Sequence, residues 1–553
     1  MPKIEVNRKD LFSLARMDDP GDGELADLLA LVKGEIDSSE ADRLKLELND
    51  TNRPDLWCVE GVARALRCSV HGPEEHLSEL PESRLEIRVD PELRDVRPFV
   101  AAFTACGWAP GPAELEALIE VQEKLAASFG RNRKTAGAGF YRLDEIQFPV
   151  DYMAASPETS FVPLGEEEEM TLEQVLRKTE TGRSYAHLLA GAKSYPLLRD
   201  AAGSILSFPP ILNSQTTGRV RAGDGRLFCE VTGTDWETVQ LTATILACNL
   251  QDRGAGIEPV RVVYPQDYPG ETVECPVVFA DSLTITEEQL YGILGVDIPA
   301  GRASEALRAM DYASVKVEGS SITGVLPPYR RDGIHPVDMI EDIAISMGLD
   351  SFAPLLPDSF TPGRTAPAEE LADAVRLLLA GAGFEEILRP VLTSREKVLQ
   401  ATRTPGQPVG IANPMTGEYD VVRNSLLPGL LEVESSSAHA AYPHRIFESG
   451  EVLTADREGN CRTEIFLACL ISGNRADFGD IHSVLGYLCH SRGIRLSLAG
   501  TDDGRFVPGR CAEIMLDGST AGIVGEVHPE VLHRWGIARP ASALEVSLHS
   551  LRG

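Results

Sequence analysis

The spacing of apolar residues along the chain predicts a mixture of strands and helices. Leu44, Leu46 and Leu48 alternate with polar residues, which is typical of a strand with one buried face. The turn-forming stretch that follows, Asn49–Pro54, leads to Asp55, which can cap the next apolar-striped helix. Strand and helix signals continue to mix toward the C-terminus. The pattern therefore predicts a mixed α/β fold of the α+β kind.

The length of the chain and one proline-rich stretch predict several domains. A chain of 553 residues is several times the usual domain size. The stretch 356–367, LPDSFTPGRTAP, is rich in proline and is typical of a linker. The predicted domains are residues 1–90, 91–271, 272–355 and 368–553.

Composition narrows the class of protein. Hydrophobic residues make up 43% and charged residues 25%, which is ordinary for a soluble globular protein. No stretch approaches the roughly 18 apolar residues of a membrane span, and the N-terminus lacks the features of a secretory signal. The ten cysteines form no CxxC pair. We therefore expect a soluble cytoplasmic protein with no membrane contact and no zinc site.

The net charge of −32 argues against a broad nucleic-acid surface, because phosphate binding usually requires a basic patch. Two interpretations stay open. Local basic patches can make the contacts within an acidic chain, or most of an RNA surface can lie on another subunit.

Common catalytic motifs are missing. The chain has neither a GxxxxGK[ST] phosphate loop nor a GxSxG nucleophile elbow. Gly137 and Gly139 begin a GxGxxG-like run, but Arg142 stands in place of the third glycine. No hydrolase or kinase mechanism follows from motifs alone.

The segment PPYRRDGIHPVDMIEDIAISMG concentrates carboxylates at the start of a predicted helix. Asp338, Glu341 and Asp342 have i, i+3, i+4 spacing and share one helix face, and Asp332 lies in the preceding loop. Like charges at this spacing repel by about 0.2–0.5 kcal/mol per pair. A hard cation such as Mg²⁺ would offset the repulsion. The alternative is a helix N-terminus that favours acids through its dipole, with arginines nearby.

The same segment, extended to YRRDGIHPVDMIEDIAISMGLDSFAP, resembles the signature of the small winged-helix-like domain of phenylalanyl-tRNA synthetase β subunits. In that family, the pattern Asp-x5-Asp-x2-Glu-Asp marks the magnesium ligands, which lie at the contact with the α subunit. The resemblance implies a Mg²⁺ site formed by Asp332, Asp338, Glu341 and Asp342.

Other stretches resemble the same family, so the resemblance covers nearly the whole chain. NDTNRPDLWCVEGVARAL is similar to its N-terminal domain, and SFPPILNSQTTGRV with CEVTGTDWETVQLTATILA is similar to its tRNA-editing domain. NPMTGEYDVVRNSLLPGLLE and HRIFESGEVL resemble its class II synthetase-like core, an antiparallel sheet. Length and the lack of an anticodon-binding appendage favour the archaeal/eukaryotic type.

The C-terminal core lacks features of an active synthetase. Arg445 lies in a run that resembles the class II strand whose arginine grips the ATP phosphate. An active core also needs a late arginine near Gly525, and Arg534 lies too far along. The core is therefore predicted to be catalytically degenerate, and the resemblance implies that ATP and phenylalanine bind the α subunit.

The resemblance implies a tRNA-editing pocket near the middle of the chain, in which the carboxylate matching Asp235 is implicated. The alternative is that these residues only start a helix, since Thr234 and Glu237 fit a capping box. The only histidine of region 91–271 is His187, so a positioned water is the expected attacker. The candidate pocket residues are Asn213, Ser214, Thr232, Thr234 and Asp235.

Together these features predict a β subunit of an α₂β₂ phenylalanine–tRNA ligase. It would support ATP-dependent charging of tRNA(Phe) by the α subunit, contribute a Mg²⁺ site and hydrolyse mischarged Tyr-tRNA(Phe). Two alternatives stay open, namely a structural partner with an inactive editing pocket and a free-standing aminoacyl-tRNA editing hydrolase.

Overall fold

The computed structural model describes residues 3–40, 42–265, 268, 271–455 and 458–552. The chain forms two compact units, Met1–Leu355 and Leu356–Gly553. The division falls at the start of the predicted proline-rich linker. Among the described residues, no helix has both the length and the apolar character needed to cross a membrane.

The N-terminal part of the first unit is a three-stranded antiparallel sheet with three helices. The strands are β1 Lys3–Asn7, β2 Gly34–Glu40 and β3 Arg43–Leu48, in the order β1-β3-β2. The helices are α1 Arg8–Ala15, α2 Asp22–Leu29 and α3 Val59–His71. The predicted strand over Leu44–Leu48 is confirmed, and its three leucines are fully buried.

The predicted cap of the following helix is wrong. Cys58 caps α3, because its sulfur accepts the Gly61 N–H. Asp55 lies one turn earlier, in a short 3₁₀ turn, and both of its carboxylate oxygens accept from the Arg53 guanidinium at 2.8 Å. A buried arginine competes successfully for this carboxylate, since charge-assisted bidentate pairs are stronger than a single backbone contact.

A ten-stranded mixed sheet forms the centre of the first unit. Its strands are β4 Leu85–Val89, β5 Phe99–Cys106, β6 Gly137–Arg142, β7 Val150–Ala155, β10 Tyr195–Arg199, β11 Ile205–Phe208, β12 Leu212–Asn213, β13 Arg226–Gly233, β14 Gly256–Val263 and β15 Thr272–Cys275; a separate pair joins β8 Ser160–Phe161 and β9 Met170–Thr171. The order is β12-β11-β10-β7-β4-β14-β5-β13-β6, with β15 pairing with β14. The sheet thus includes β4 and β15, which lie outside the predicted range 91–271.

Helices cover this sheet. They are α4 Pro112–Lys124, α5 Leu172–Lys178, α6 Glu180–Tyr185 and α7 Trp236–Asp252. Every residue of α7 from Val239 to Leu250 is buried. The helix packs on β5 and β13 and also contacts α3, which explains why this stretch is buried on all sides.

The first unit ends in a small α+β region. Its strands are β16 Ser282–Thr286, β17 Ser314–Glu318 and β18 Ser321–Val325, and its helices are α8 Glu287–Leu294, α9 Ala300–Ala309 and α10 Pro336–Met347. The sheet is antiparallel, in the order β16-β18-β17. The helix predicted in the carboxylate-rich segment is confirmed as α10, and Pro336 occupies its first turn.

The second unit is built on a seven-stranded, mainly antiparallel sheet. Its elements are α11 Pro367–Gly381, β19 Glu385–Glu386, β20 Leu392–Thr393, β21 Val421–Val422, α12 Leu427–Ser436, β22 His444–Ala455, β23 Cys461–Ser472, α13 Phe478–Arg492, β24 Leu496–Gly500, β25 Phe506–Leu516, β26 Ser519–Val527, α14 Pro529–Arg534 and β27 Ala541–Ser547. The sheet order is β19-β22-β23-β27-β26-β25-β24. The mixed α/β, multidomain prediction is confirmed.

Candidate functional site

A cavity of about 200 Å³ opens beside β6 and β13 in the first unit. Pairing of these strands places Glu230 opposite Gly139 and Thr232 opposite Gly137. The two glycines of β6 thus lie beside the carboxyl of Glu230 and the hydroxyl of Thr232 on the neighbouring strand. The remaining wall comes from α4, the turn before β6, β6 itself, the loop after β8, α6 and the stretch from β11 to β12: Gln122, Glu123, Arg133, Ala138, Leu164, Thr181, Ser207, Phe208, Pro209, Pro210, Ile211, Leu212 and Asn213.

Gly139 makes room for the polar pair in this wall. A Cβ at this position would lie 2.5 Å from the Tyr141 hydroxyl and 3.0 Å from Glu230 Oε1. Tyr141 donates to Glu230 Oε1 at 2.8 Å, and its hydroxyl also lies 3.1 Å from Asn213 Oδ1. The glycine of the failed GxGxxG match therefore has a packing role at the cavity.

Glu230 is a buried carboxyl that forms no salt bridge among the described residues, and only 3% of its surface is exposed. Its Oε2 has no hydrogen-bond partner in that same set. Burial raises the pKa of Glu230 to about 7, although the Tyr141 hydrogen bond and Arg97 act in the opposite direction. Near neutral pH this carboxyl can therefore either accept or donate a hydrogen bond.

Two arginines fix the walls of the cavity. Arg133 donates to the carbonyl oxygens of Pro210 at 3.2 Å and Ile211 at 3.1 Å, and it pairs with Glu123 at 2.7 Å. Behind the wall, the Arg97 guanidinium donates to Thr232 Oγ1 at 3.0 Å. Burial lowers the pKa of Arg97 to about 10, so it stays charged at neutral pH.

The structure brings two of the five predicted pocket residues into this cavity, Asn213 and Thr232. Ser214 is buried, but its hydroxyl bonds Thr217 Oγ1 at 2.8 Å and does not reach the wall. Thr234 donates to the Lys134 carbonyl at 3.0 Å, also away from the cavity.

Asp235 has a local structural role at the start of α7. Its Oδ1 accepts from the backbone N–H of Thr238 at 2.9 Å, which makes Asp235 the N-cap of that helix. The predicted Thr234–Glu237 capping box is therefore wrong by one residue. Asp235 also lines a different cavity of about 210 Å³, next to Arg331 and Asp332.

Glu230, Tyr141 and Arg133 are site residues that sequence reasoning missed. A signal for Glu230 existed: it is the single charged residue in the apolar run LFCEVTG of a buried strand. A charge in such a run must be satisfied by tertiary partners or change its protonation state. Its partner lies 89 residues away in the sequence, which local patterns do not reveal.

The four predicted magnesium ligands are close in sequence, but cationic side chains or backbone N–H groups of the protein already bind each of them. Asp332 and Asp342 both accept from Arg330 Nη2, at 2.6 Å and 2.9 Å. Glu341 pairs with Lys33 Nζ at 2.8 Å. Asp338 turns back to accept the backbone N–H groups of Ile334 and His335 at the start of α10.

These four carboxylates as placed do not fit a shared cation. No group of three or more His, Cys, Asp or Glu residues in the described ranges could hold a metal ion. Arg330 is buried, and its guanidinium already occupies the space between Asp332 and Asp342. The Mg²⁺ site therefore stays a prediction from the sequence, without support from the observed geometry.

The second unit contains the predicted degenerate core, and several ion pairs lie inside it. Glu432 accepts from Arg389 at 2.7 Å and from Lys397 at 2.8 Å. Buried Glu448 pairs with Arg423 at 2.6 Å. The cavity lined by Arg389, Lys397, Arg423 and Glu432 is about 20 Å³, too small for a nucleotide.

Arg445 and Arg534, the two arginines compared with the ATP-binding arginines of active synthetases, both lie at the surface and donate to backbone carbonyl oxygens. Arg445 is exposed and donates to the Ala382 carbonyl at 3.2 Å. Arg534 ends α14, and it also donates to a carbonyl oxygen, that of Gln400. Neither lines the small space enclosed by Glu432 and Arg423.

Comparison with known proteins gives concordant matches. Residues 354–548 match the model of the phenylalanyl tRNA synthetase beta chain CLM domain, and residues 283–349 match that of the tRNA synthetase B5 domain. The phenylalanine–tRNA ligase beta subunit of Borrelia turicatae is 35% identical over 571 residues, with 100% of both chains covered. That of Treponema pallidum is 38% identical, covering 96% of this chain and 91% of its own.

A solved structure agrees for the first unit. An N-terminal fragment of the phenylalanyl-tRNA synthetase beta subunit from Pyrococcus horikoshii matches with a TM-score of 0.60 and 35% identity. The match covers 63% of this chain and all of the fragment. These relatives include both bacterial and archaeal proteins, so the archaeal/eukaryotic type stays a prediction. The chain belongs to the family of phenylalanine–tRNA ligase β subunits.

Proposed function

We propose that this chain assembles with a catalytic α subunit and hydrolyses Tyr-tRNA(Phe) in the cavity that Glu230 lines. The α subunit would bind ATP and phenylalanine and charge tRNA(Phe) in an α₂β₂ complex. The observation that carries the hydrolytic part is a buried carboxyl that forms no salt bridge among the described residues, in the wall of a cavity of about 200 Å³.

The size and polarity of the cavity suit the side chain of tyrosine. A cavity of about 150 Å³ is known to hold a benzene molecule. The phenolic hydroxyl can hydrogen-bond Glu230, whose Oε2 lacks a partner in the described part of the chain. A phenylalanyl group would leave this buried group unsatisfied, and sites of this kind reject the analogue that lacks the hydroxyl.

The hydrolysis itself requires a positioned water. The wall of the cavity, as described, contains neither histidine nor cysteine, and His187 is exposed and hydrogen-bonds the Ser184 carbonyl instead. In the reaction the water oxygen bonds to the tyrosyl carbonyl carbon. The ester C–O bond then breaks and the ribose oxygen takes up a proton. Polar groups such as Asn213 and Thr232 would orient the water.

The second unit would serve assembly and not amino-acid activation. The cavity beside the ion pairs of Glu432 is about 20 Å³, which is smaller than a nucleotide site. Several large apolar side chains remain exposed on this unit, including Leu377 at 76%, Leu388 at 86% and Met415 at 100%. Exposed apolar groups of this kind are typical of surfaces that a partner covers.

The decisive experiment is deacylation of Tyr-tRNA(Phe) and Phe-tRNA(Phe) by the αβ complex with Glu230→Gln. Loss of a charge-assisted hydrogen bond costs about 1.5–3 kcal/mol, so Tyr-tRNA hydrolysis should fall roughly 10- to 150-fold. Phenylalanine charging should be unchanged, because activation lies on the other subunit.

Asp235→Asn is the matched control, since it alters a carboxylate that lies outside the cavity. A folded Glu230→Gln complex that clears Tyr-tRNA at the wild-type rate would exclude this cavity as the hydrolytic site. A wild-type complex with no Tyr-tRNA hydrolysis would instead support the structural-partner alternative.

A further inference from the structure

The turn that Arg133 anchors to the cavity has an unusual backbone. Arg131, Asn132 and Arg133 have φ values of 49°, 54° and 64°, so three consecutive residues other than glycine adopt the left-handed conformation. L-residues rarely adopt this conformation, and they keep it only where the surroundings hold it. Strained segments of this kind concentrate at functional sites.

Buried and partly buried arginines hold this turn from two sides. Arg97 Nη1 donates to the carbonyl oxygens of Arg133 at 2.9 Å and Lys134 at 3.2 Å. The Arg133 side chain reaches across the cavity wall to the Pro210 and Ile211 carbonyl oxygens. The position of the turn is thus fixed relative to the cavity, so its exposed side chains have a defined location.

Four exposed cations lie on the elements that meet at this point. Arg131 and Lys134 flank Arg133 on the turn, and Arg183 and Lys178 lie on α6 and at the end of α5. The Arg133 guanidinium lies 4.5 Å from the ring centre of Tyr185 on α6, which joins the turn to that helix. We name these four residues, Arg131, Lys134, Lys178 and Arg183, the basic rim.

Within a strongly acidic chain, the four side chains of the basic rim lack carboxylate partners in the described structure. None of its four side chains forms a salt bridge with any carboxylate that the structure describes, although the chain has a net charge of −32. In a protein with 84 acidic residues, a group of cations without such pairs beside a cavity indicates an anionic partner. This is the local basic patch that one interpretation of the acidic sequence requires.

We propose that the basic rim binds backbone phosphates of the single-stranded 3′ end of tRNA and leads its terminal nucleoside to the cavity. The inference rests on the proposed function, because it assigns the partner of that site. Phosphate contacts from lysine and arginine orient nucleic acid without reading its sequence. The ester of the last nucleoside would then lie at the cavity mouth while the preceding phosphates contact the rim.

The first test is binding of an RNA minihelix with a single-stranded 3′ end to the full chain, for the wild type and for Arg131→Asn/Lys134→Ala. Asparagine tolerates the left-handed conformation, so the turn should be retained. Loss of two single-strand phosphate contacts lowers the slope of log affinity against log salt by about 1.4. We expect roughly tenfold weaker binding at about 0.15 M salt.

The matched control is Lys316→Ala/Arg364→Ala, which removes two exposed cations, one on β17 and one in the linker. It should bind the minihelix as the wild type does. Equal binding by the rim variant and the wild type, or equal weakening by rim and control variants, would overturn the proposal.

A second measurement separates the rim from the cavity. In the αβ complex, the rim variant should raise KM for Tyr-tRNA several-fold and leave hydrolysis of tyrosyl-adenosine, which has no phosphates, unchanged. A rim variant with wild-type KM for Tyr-tRNA would count against the proposal. If the wild-type complex hydrolyses neither substrate yet the rim variant weakens minihelix binding, the proposed editing function fails and RNA binding by the rim stands.

Discussion

Two buried carboxylates in the first unit have opposite electrostatic environments. Asp252, at the end of α7, is 4% exposed and lies 2.7 Å from Arg64 and 2.5 Å from Arg67. Glu230, on β13, is 3% exposed and forms no salt bridge in the described structure. Burial alone would raise the pKa of both groups. The guanidinium of Arg64 and the imidazole of His76 reverse the effect for Asp252 and hold its pKa well below the usual range.

The difference shows that burial by itself does not fix the charge of a carboxyl. A bidentate network with arginine keeps Asp252 ionised and ties α7 to α3 of the N-terminal region. A neutral phenol is the partner of Glu230, which leaves that carboxyl near its titration point at neutral pH. The first environment is suited to stability, and the second to recognition of a hydroxyl.

The largest expected effect comes from removing the cation of the stabilising pair. Arg64→Met keeps much of the side-chain volume but leaves Asp252 with fewer charge partners in a buried site. Removing one partner of a buried ion pair costs about 3–5 kcal/mol. Chemical denaturation of the full chain should show that the unfolding free energy of the first unit falls by this amount.

An exposed pair provides the control for that variant. Arg302 and Glu305 form a salt bridge with 64% and 66% exposed side chains. Arg302→Ala should therefore change stability by less than about 1 kcal/mol. If Arg64→Met were no more destabilising than Arg302→Ala, the Asp252 network would not have a stabilising role.

The next effect is a pH dependence carried by Glu230. Its pKa is about 7 in the folded chain and 4.5 as the ordinary value, so the folded state binds more protons between these two pH values. The stabilisation is therefore complete below pH 4.5 and is lost as the pH rises to 7. The shift corresponds to about 3 kcal/mol.

Comparison of wild type with Glu230→Gln isolates this contribution, because glutamine does not titrate. As the pH rises from 4.5 to 7, the unfolding free energy of the wild type should fall relative to that of the variant. A difference that is constant over this range would show that Glu230 titrates normally. Asp252 acts in the opposite sense, since its stabilisation is lost only as the pH falls below the ordinary carboxyl range.

The smallest effect concerns a third carboxylate environment, the exposed helix cap. Asp235→Ala removes the N-cap of α7 and should cost about 1 kcal/mol of stability. Once folded, the αβ complex should hydrolyse Tyr-tRNA at the wild-type rate. Thermal unfolding and deacylation on the same preparation test this, and a strong loss of deacylation without a stability change would place Asp235 in the hydrolytic site after all.

Elements with a clear periodicity could be predicted from the sequence. The strand with the alternating leucines of β3, the helix α10 and the proline-rich start of the second unit all follow from local patterns. Helix caps were less predictable: Asp55 and Thr234 were both assigned as caps, whereas Cys58 and Asp235 cap the helices. Several polar residues near a helix start can serve as the cap, and tertiary contacts select among them.

The sequence by itself determined the family, the succession of strands and helices, and the stretch of chain that forms the candidate site. Only the tertiary structure decided which carboxyls line the cavity, namely Glu230 and Glu123. Glu230 reaches its partner Tyr141 through the pairing of β13 with β6, and Asp332 and Asp342 meet across Arg330. The charge state of a buried group depends on neighbours brought together by folding, and those neighbours are distant in the sequence.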